Sequence, residues 1–302
     1  MTEPSPPSPS TRPEAPAPRL ADRLAAGAFS AVVALAGRLP YARRVALAGR
    51  LAATVLAPVA GWRRRIRANL ALVCPDLPRA EVARLERAVC DNVGRSLAEI
   101  YSGPEFVARV KDLPLSGPGA ELLQRLHAEG RAAVLVTGHF GNYDAWRGGL
   151  VARGYRIGAL YRPMNNPGFN ARYVAAITRV AAPLFARDKR GMAQMMRHLR
   201  EGGMIGLAID QYMRRGVDLS FFGHTARTPL SAAEIALKHE VPMIPIFATR
   251  QADGLSFVIE VEAPIAPDTP EAMSQRFNDI LEAKVRAHME QWFWIHRRWK
   301  VR

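Results

Sequence analysis

The sequence predicts an α/β fold, a mixed and largely parallel sheet flanked by helices, with an N-terminal helical segment that associates with a membrane. Three observations predict it. Beyond Arg131, apolar strand-like runs (AAVLVT, RIGALY, APLFA, GMIGLAI, VPMIPIFAT, LSFVIEVE) alternate with helical stretches such as Ala145–Arg153, Phe169–Val180, Met192–Glu201 and Ser231–His239. That alternation marks βαβ units, in which helices cover a parallel sheet. Residues 68–128 are helical in rhythm without strands, and residues 19–67 join short apolar runs to an excess of arginine.

In chain order, residues 1–18 are proline, serine and alanine with little to bury, so a disordered tail is expected there. They lack the basic end and adjoining apolar run of a signal peptide. Over 19–67, the apolar stretches Leu24–Gly37 and Val45–Ala60 are broken by Arg38, Arg43, Arg44 and Arg50 and closed by Trp62 and Arg63-Arg64-Arg65. Asp22 is the only acid in that span. Both stretches fall short of the roughly 20 apolar residues that cross a bilayer. Apolar helices rimmed by arginine and tryptophan suit the membrane interface; a soluble hairpin packed on the core is the alternative. The main domain is expected over 68–302. It opens with helices in which Leu85, Val89 and Val93 recur at helical spacing, and Gly103-Pro104 marks a break.

Composition sets outer limits. A chain of 302 residues with 49% hydrophobic residues can bury one large core. Cys74 and Cys90, with no CxxC or Cys/His cluster, point to neither a disulfide framework nor a zinc site. The formal charge of +15 favours anionic partners: nucleic acid, acidic proteins or an anionic membrane face.

Four polar motifs follow strands, where open α/β sheets collect functional residues. The first, VLVTGHFGNYDAW at 134–146, delivers His139 from a buried strand and Asp144 five residues later. On a continuous helix such positions point about 140° apart, so the two meet only at a strand–turn–helix corner. Gly138 and Gly141 give that corner backbone freedom. A histidine with a carboxylate is the minimal device for moving a hydroxyl proton. The second, YRPMNNP at 161–167, sets Arg162 beside Tyr161, placed to grip a phosphate or carboxylate. The third, IDQYMRRG at 209–216, carries Asp210 and Gln211. Asp210 has three open roles: orienting Arg162, binding a sugar hydroxyl, or capping the next turn. In the fourth, LSFFGHTARTP at 219–229, Phe221 and Phe222 form either an apolar wall or part of a core cluster, Gly223 a turn and Thr228-Pro229 a helix start. Finally, QWFWIHRRWK at 291–300 packs three tryptophans among basic residues, suiting a membrane interface, a phosphorylated glycolipid or nucleic acid.

The ordered set GHFGNYDAW, YRPMNNP, IDQ, FFGHTARTPLSAAEIALKHEVPMIPIF and WIHRRWK resembles the bacterial lipid A biosynthesis acyltransferases over roughly residues 20–300. The resemblance implies a sheet of the glycerolipid acyltransferase kind and an enzyme on the cytoplasmic face of the inner membrane. It implies transfer of a fatty acyl group from acyl carrier protein to a hydroxyl of a lipid A precursor. His139 aligns with the family's catalytic histidine and Asp144 with its partner acid. Arg162 and Asp210 align with two further functional positions, and Tyr161, Gln211 and Asn142 join them as candidate substrate contacts. Met164 departs from the polar residue common in relatives, and the N-terminal segment is a weaker anchor than the spanning helix many members show.

The implied chemistry has His139, oriented by Asp144, take the hydroxyl proton as oxygen attacks the thioester; backbone N–H groups of the corner or Arg162 would hold the oxyanion. Such chemistry needs no metal or redox cofactor, with the acyl carrier protein thioester as co-substrate. Carrier protein, lipid A phosphates and the anionic membrane surface are the expected partners. Two rivals are a basic nucleic-acid-binding protein, whose basic residues should gather on a groove-facing surface away from His139 and whose binding should fall steeply with salt, and a catalytically idle membrane scaffold, against which the histidine–aspartate pair speaks. Within enzymes, the alternative acceptor is a lysophospholipid, a glycosylated phospholipid or an aminolipid.

Overall fold

The computed structural model describes Gly27, residues 33–164 and residues 166–299. The tail expected over residues 1–18 lies outside the described residues. Helix α1 (Tyr41–Leu51) runs on through a π-helical turn (Ala52–Leu56) and a short helical turn (Ala57–Val59). The chain turns at Gly61, in the left-handed region at φ 67°, and α2 (Trp62–Val73) leaves at 87°. Among the described residues no single helix is long and apolar enough to cross a membrane, although this bent pair meets the length and hydropathy requirement together.

The two helices divide their apolar residues between two surroundings. Tyr41, Val45, Ala53, Ala57, Ile66 and Leu70 are buried with the main cores, whereas Leu39, Leu47, Leu51, Val55, Leu56 and Val59 are exposed. Helix α1 lies on α3 (Arg79–Ser102), so closely that a Cβ at Gly94 would stand 2.4 Å from the Ala48 carbonyl oxygen. Buried Arg44 adds an ion pair to Glu105 at 2.5 Å. The division expected at residue 67 falls inside α2, whose inner face shares the core of everything that follows. Helix α3 turns Leu85, Val89, Cys90 and Ile100 inward at helical spacing. It stops at Gly103 (φ 52°), and Pro104 opens α4 (Pro104–Val110) with its ring in the first turn.

The α/β region then runs β1 (Leu115–Ser116), α5 (Ala120–Ala128), β2 (Val134–Thr137), α6 (Ala145–Ala152), β3 (Ile157–Tyr161), α7 (Pro167–Val180), β4 (Leu184–Ala186), α8 (Lys189–Arg200) and β5 (Met204–Ala208). A hairpin of β6 (Val217–Phe221) and β7 (His224–Thr228) follows, then α9 (Ser231–Lys238), β8 (Met243–Arg250), β9 (Phe257–Val261) and α10 (Pro270–Ala287). The sheet order is β1-β9-β8-β2-β5-β3-β4, parallel throughout except for the β8–β9 pair, which gives the mixed, largely parallel sheet that was expected. Central β2 is buried at all four positions, as a strand covered on both faces must be. Val134 and Val136 enter one core and Leu135 the other, following the two-residue strand period.

The fourth motif holds its expected turn at Gly223 and buries Phe221 and Phe222 in the core, but its helix start falls later than expected. Phe222 (φ 55°) and Gly223 (φ 72°) are two successive residues in the left-handed region, the geometry of a tight hairpin turn. Thr228 is the last strand residue rather than a helix start, and α9 begins at Ser231. The tryptophan-rich segment also departs from expectation. Trp292, Trp294 and Trp299 are buried against Phe221 and Phe222 with ring centres 5.4–6.2 Å apart, edge-on except for the stacked Phe221–Trp299 pair, and Arg298 is wholly enclosed. Arg298 donates to the Arg227 carbonyl and to Thr228 Oγ1, and burial lowers its pKa to about 10. The segment is a structural clamp on the hairpin, not an aromatic-basic surface.

Candidate active site

Register explains where the chemistry collects. Strands β2 and β5 are parallel neighbours, with Thr137 opposite Ala208. Two residues further along each, past the carboxyl edge of the sheet, His139 stands beside Asp210. The His139 ring Nδ1 lies 2.7 Å from Asp210 Oδ1, and the His139 backbone N–H donates to Oδ2 at 2.8 Å. Trp292 Nε1–H donates to the same Oδ2 at 2.9 Å. Asp210 is fully buried with these donors around it. Burial alone would raise its pKa, but the His139 ring and N–H hold it well below the ordinary carboxylate value. Burial likewise works against the His139 cation; Asp210, with help from Asp144 through space, outweighs it and sets the pKa above the usual imidazole value. The His139 side chain keeps 22% of its surface open to solvent.

The expected His139–Asp144 pair is not formed. The corner exists, but Asp144 is buried against Arg147, whose Nη2 and Nε reach Oδ1 at 2.6 and 2.8 Å. Arg147 continues to the carbonyls of Ala181 and Ile177. The physical reason is direction: Nδ1 of His139 faces across the sheet toward β5, and the one-turn offset that would bring Asp144 round is taken by a salt bridge within α6. Asn142 is also not a substrate contact. It is buried, donates to Glu99 Oε2 at 2.8 Å and accepts the Asp144 N–H at 3.0 Å. Glu99 in turn receives both guanidinium nitrogens of Arg250, at 2.5 and 2.7 Å. This chain, from the end of β8 through α3, fixes the loop that bears His139.

Gly141 completes the corner at φ 57°, and a Cβ there would meet the Ala248 carbonyl oxygen at 1.9 Å, so only glycine fits. Its N–H donates to the Gln291 carbonyl, while Phe140 N–H donates to Gly138 and Phe293 N–H to the His139 carbonyl. The corner N–H groups of His139, Phe140 and Gly141 are therefore all engaged internally.

Arg162 follows β3 directly, is exposed, and makes no ion pair among the described residues. It follows a strand that neighbours β5 in parallel, so it shares the carboxyl edge with His139 and Asp210. Tyr161 is half-buried, and its carbonyl accepts from Arg187 N–H. Arg187, Lys189, Arg190, Arg214 and Arg215 are exposed on the same edge, after β4 and β5, and make no ion pair among the described residues. Gln211 lies within the constellation, with its amide nitrogen 3.1 Å from His139 Nε2. Sequence reasoning missed His296 and Trp292, which lie about 150 residues beyond His139 and were visible only as part of an aromatic-basic cluster. Among the described residues, no group of three or more His, Cys, Asp or Glu side chains is placed to hold a metal ion.

Comparison with known proteins agrees with a lipid-acylating enzyme. Residues 18–301 match the family described as bacterial lipid A biosynthesis acyltransferase. Similar proteins include a phosphatidylinositol mannoside acyltransferase of Mycobacterium tuberculosis, 23% identical over 79% of this chain and 78% of that one. A lipid A biosynthesis acyltransferase of Haemophilus influenzae is 26% identical over 78% and 76%. The lipid A biosynthesis lauroyltransferase of Escherichia coli is 23% identical over 78% of each. The crystal structure of a 1-acyl-sn-glycerophosphate acyltransferase from Thermotoga maritima aligns with 82% of this chain and 96% of its own, at 14% identity and a TM-score of 0.38. With a match that spans nearly the whole chain, the protein belongs to the bacterial lipid A biosynthesis acyltransferase family and is an O-acyltransferase.

Proposed function

We propose that this acyltransferase moves a fatty acyl chain from an acyl carrier protein thioester to a hydroxyl of a lipid A precursor, at the cytoplasmic face of the inner membrane. The observation that carries the reading is the His139–Asp210 pair: Nδ1 is held by a buried carboxylate at 2.7 Å while the ring keeps part of its surface open to solvent, beside a rim of exposed basic residues. An aliphatic hydroxyl holds its proton at neutral pH. His139 Nε2 accepts that proton as the oxygen bonds to the thioester carbon, a service worth ~10²–10⁴-fold. Asp210 fixes the tautomer and steadies the cation that forms. The C–S bond then breaks, and the imidazolium returns the proton to the departing thiolate. Arg162 supplies the charge that meets the oxyanion or an anionic group of the substrate. Asp144 supports the corner and favours the cation from a distance.

The rim of Arg162, Arg187, Lys189, Arg190, Arg214 and Arg215 supports an acidic carrier protein and a phosphorylated acceptor as partners. The exposed leucines and valines of α1 to α2, with Arg43 and Arg50 lining an open groove of about 470 Å³, support attachment at an anionic membrane surface. Transfer to a glycosylated phospholipid is the second reading, favoured by the mannoside acyltransferase among the relatives. Mass spectrometry of lipids from a deletion strain, paired with assays of purified protein on both acceptors, tests the choice. Unchanged lipid A acylation together with turnover only on the glycosylated phospholipid would decide for the second.

A further inference from the structure

The amide of Gln211 bridges two imidazoles. Its nitrogen is 3.1 Å from Nε2 of His139 and 2.8 Å from Nε2 of His296, and the rings stand 5.0 Å apart at 78°. His296 is itself fixed: Asn69 Nδ2 donates to its carbonyl at 2.8 Å, and its backbone N–H donates to the Phe293 carbonyl at 3.1 Å.

Counting hydrogens constrains this arrangement. Asp210 is an ionised acceptor at Nδ1, so neutral His139 carries its one ring N–H there and presents a lone pair at Nε2. Only a donor can face that lone pair, so the NH₂ side of Gln211 is turned toward it. The second hydrogen of the same NH₂ points to Nε2 of His296, which must accept and therefore be neutral with its proton on Nδ1. Burial, together with the charge His139 can carry, agrees, lowering the pKa of His296 to about 3.

We propose that Gln211, anchored by His296, is a positioning residue that holds His139 in the Nδ1–H tautomer and restrains its basicity until an acceptor hydroxyl replaces the amide at Nε2. This rests on the reading of His139 as the base. Asp210 favours the cation, whereas an N–H donated to Nε2 stabilises only the neutral ring, so the two neighbours oppose each other across one imidazole. When the hydroxyl proton passes to Nε2, the new N–H can no longer face the amide NH₂. The bond to His296 keeps Gln211 occupied and out of the way while the thiolate collects that proton.

The test compares pH profiles of kcat/KM for wild type, Gln211→Glu and Gln211→Met, with circular dichroism to confirm folding. A carboxylate between the rings should move the acid limb upward by about one pH unit, a tenfold activity loss below the limb. Gln211→Met, which only removes the donor, should move it less and in the same direction. Nitrogen-15 NMR of the histidine-labelled wild type should show Nε2 of His139 unprotonated above the limb. A limb unmoved in both variants, or a proton found on Nε2 of neutral His139, overturns the proposal. The NMR arm needs no variant to fold. Failure here is separable from failure of the base: if His139→Ala is inactive while the limb stays put, only the role of Gln211 falls, whereas an active His139→Ala removes the base itself.

Discussion

Two buried aspartates flank the His139 corner and take different partners. Asp144 is five residues from His139 in sequence and spends its charge on Arg147; Asp210 is 71 residues away and sits on the imidazole. Both are almost fully buried, and both have a cationic or potentially cationic partner. The difference lies in what register does to distance. Parallel pairing of β2 with β5 puts positions two past the last matched pair side by side, while the helix start after β2 carries Asp144 around to the far side of the corner. Proximity along the chain is thus the poorer guide to which carboxylate a strand-end histidine receives.

The sharpest way to break this comparison is to remove each charge alone. Asp210→Asn should reduce turnover by orders of magnitude in a folded protein, by analogy with the hydrolase triad, where the equivalent change costs ~10⁴. His139→Ala should be as severe, and the double variant little worse than either. Asp144→Asn should show the reverse balance. Turnover should fall by only about tenfold to a hundredfold, but breaking a buried ion pair should cost about 3–5 kcal/mol of stability, seen as a lower denaturation midpoint. A stable, dead Asp144→Asn beside an active Asp210→Asn would invert the assignment.

Acidity sharpens it next. Because Asp210 raises the pKa of His139, the base is protonated and idle at pH values where an ordinary histidine would be free. The acid limb of kcat/KM should therefore lie above the ordinary imidazole value of about 6.5, and Asp210→Asn should bring any residual activity's limb down. Titration of activity from pH 5 to 9 checks the sign. A smaller effect is expected from Trp292→Phe, which keeps the ring and removes the donor to Asp210. Losing one buried hydrogen bond to a charged group costs about 1.5–3 kcal/mol of stability, so the melting temperature should fall by several degrees while turnover drops less than in Asp210→Asn. Smallest is Arg162→Lys. An ammonium keeps the charge but not the two-pronged contact, so KM should rise severalfold with Tm unchanged.

Much of this was legible in the sequence. The strand–helix alternation, the end of α3 at Gly103-Pro104, and His139 at a strand end all follow from local patterns that the fold obeys. Asp210 stood out by type and position, yet its duty depended on which strands are neighbours, and periodicity says nothing about that. The turn at Gly223 was readable, but its flanking strands and the positive φ of Phe222 were not, because a phenylalanine is not a usual turn signal. The tryptophan-arginine segment misled for a different reason. The same composition suits an interface or a core, and only its packing against Phe221 and the enclosure of Arg298 decide for the core. Asn142 looked like a site residue since it lies in the right motif, but its amide is turned into the protein.

The distance between Asp210 and the Trp292 that steadies it, 82 residues, has a consequence in time. A chain emerging from the ribosome at ~5–20 residues per second exposes Asp210, and with it the finished β2–β5 pair, about 4–16 seconds before that tryptophan appears. Through that interval the imidazole and its carboxylate have neither the indole N–H nor His296 beside them. A nascent or prematurely ended chain therefore carries the catalytic motif without a finished site. Under the proposed mechanism, the site is complete only after the chain has closed over its own hairpin, late in synthesis.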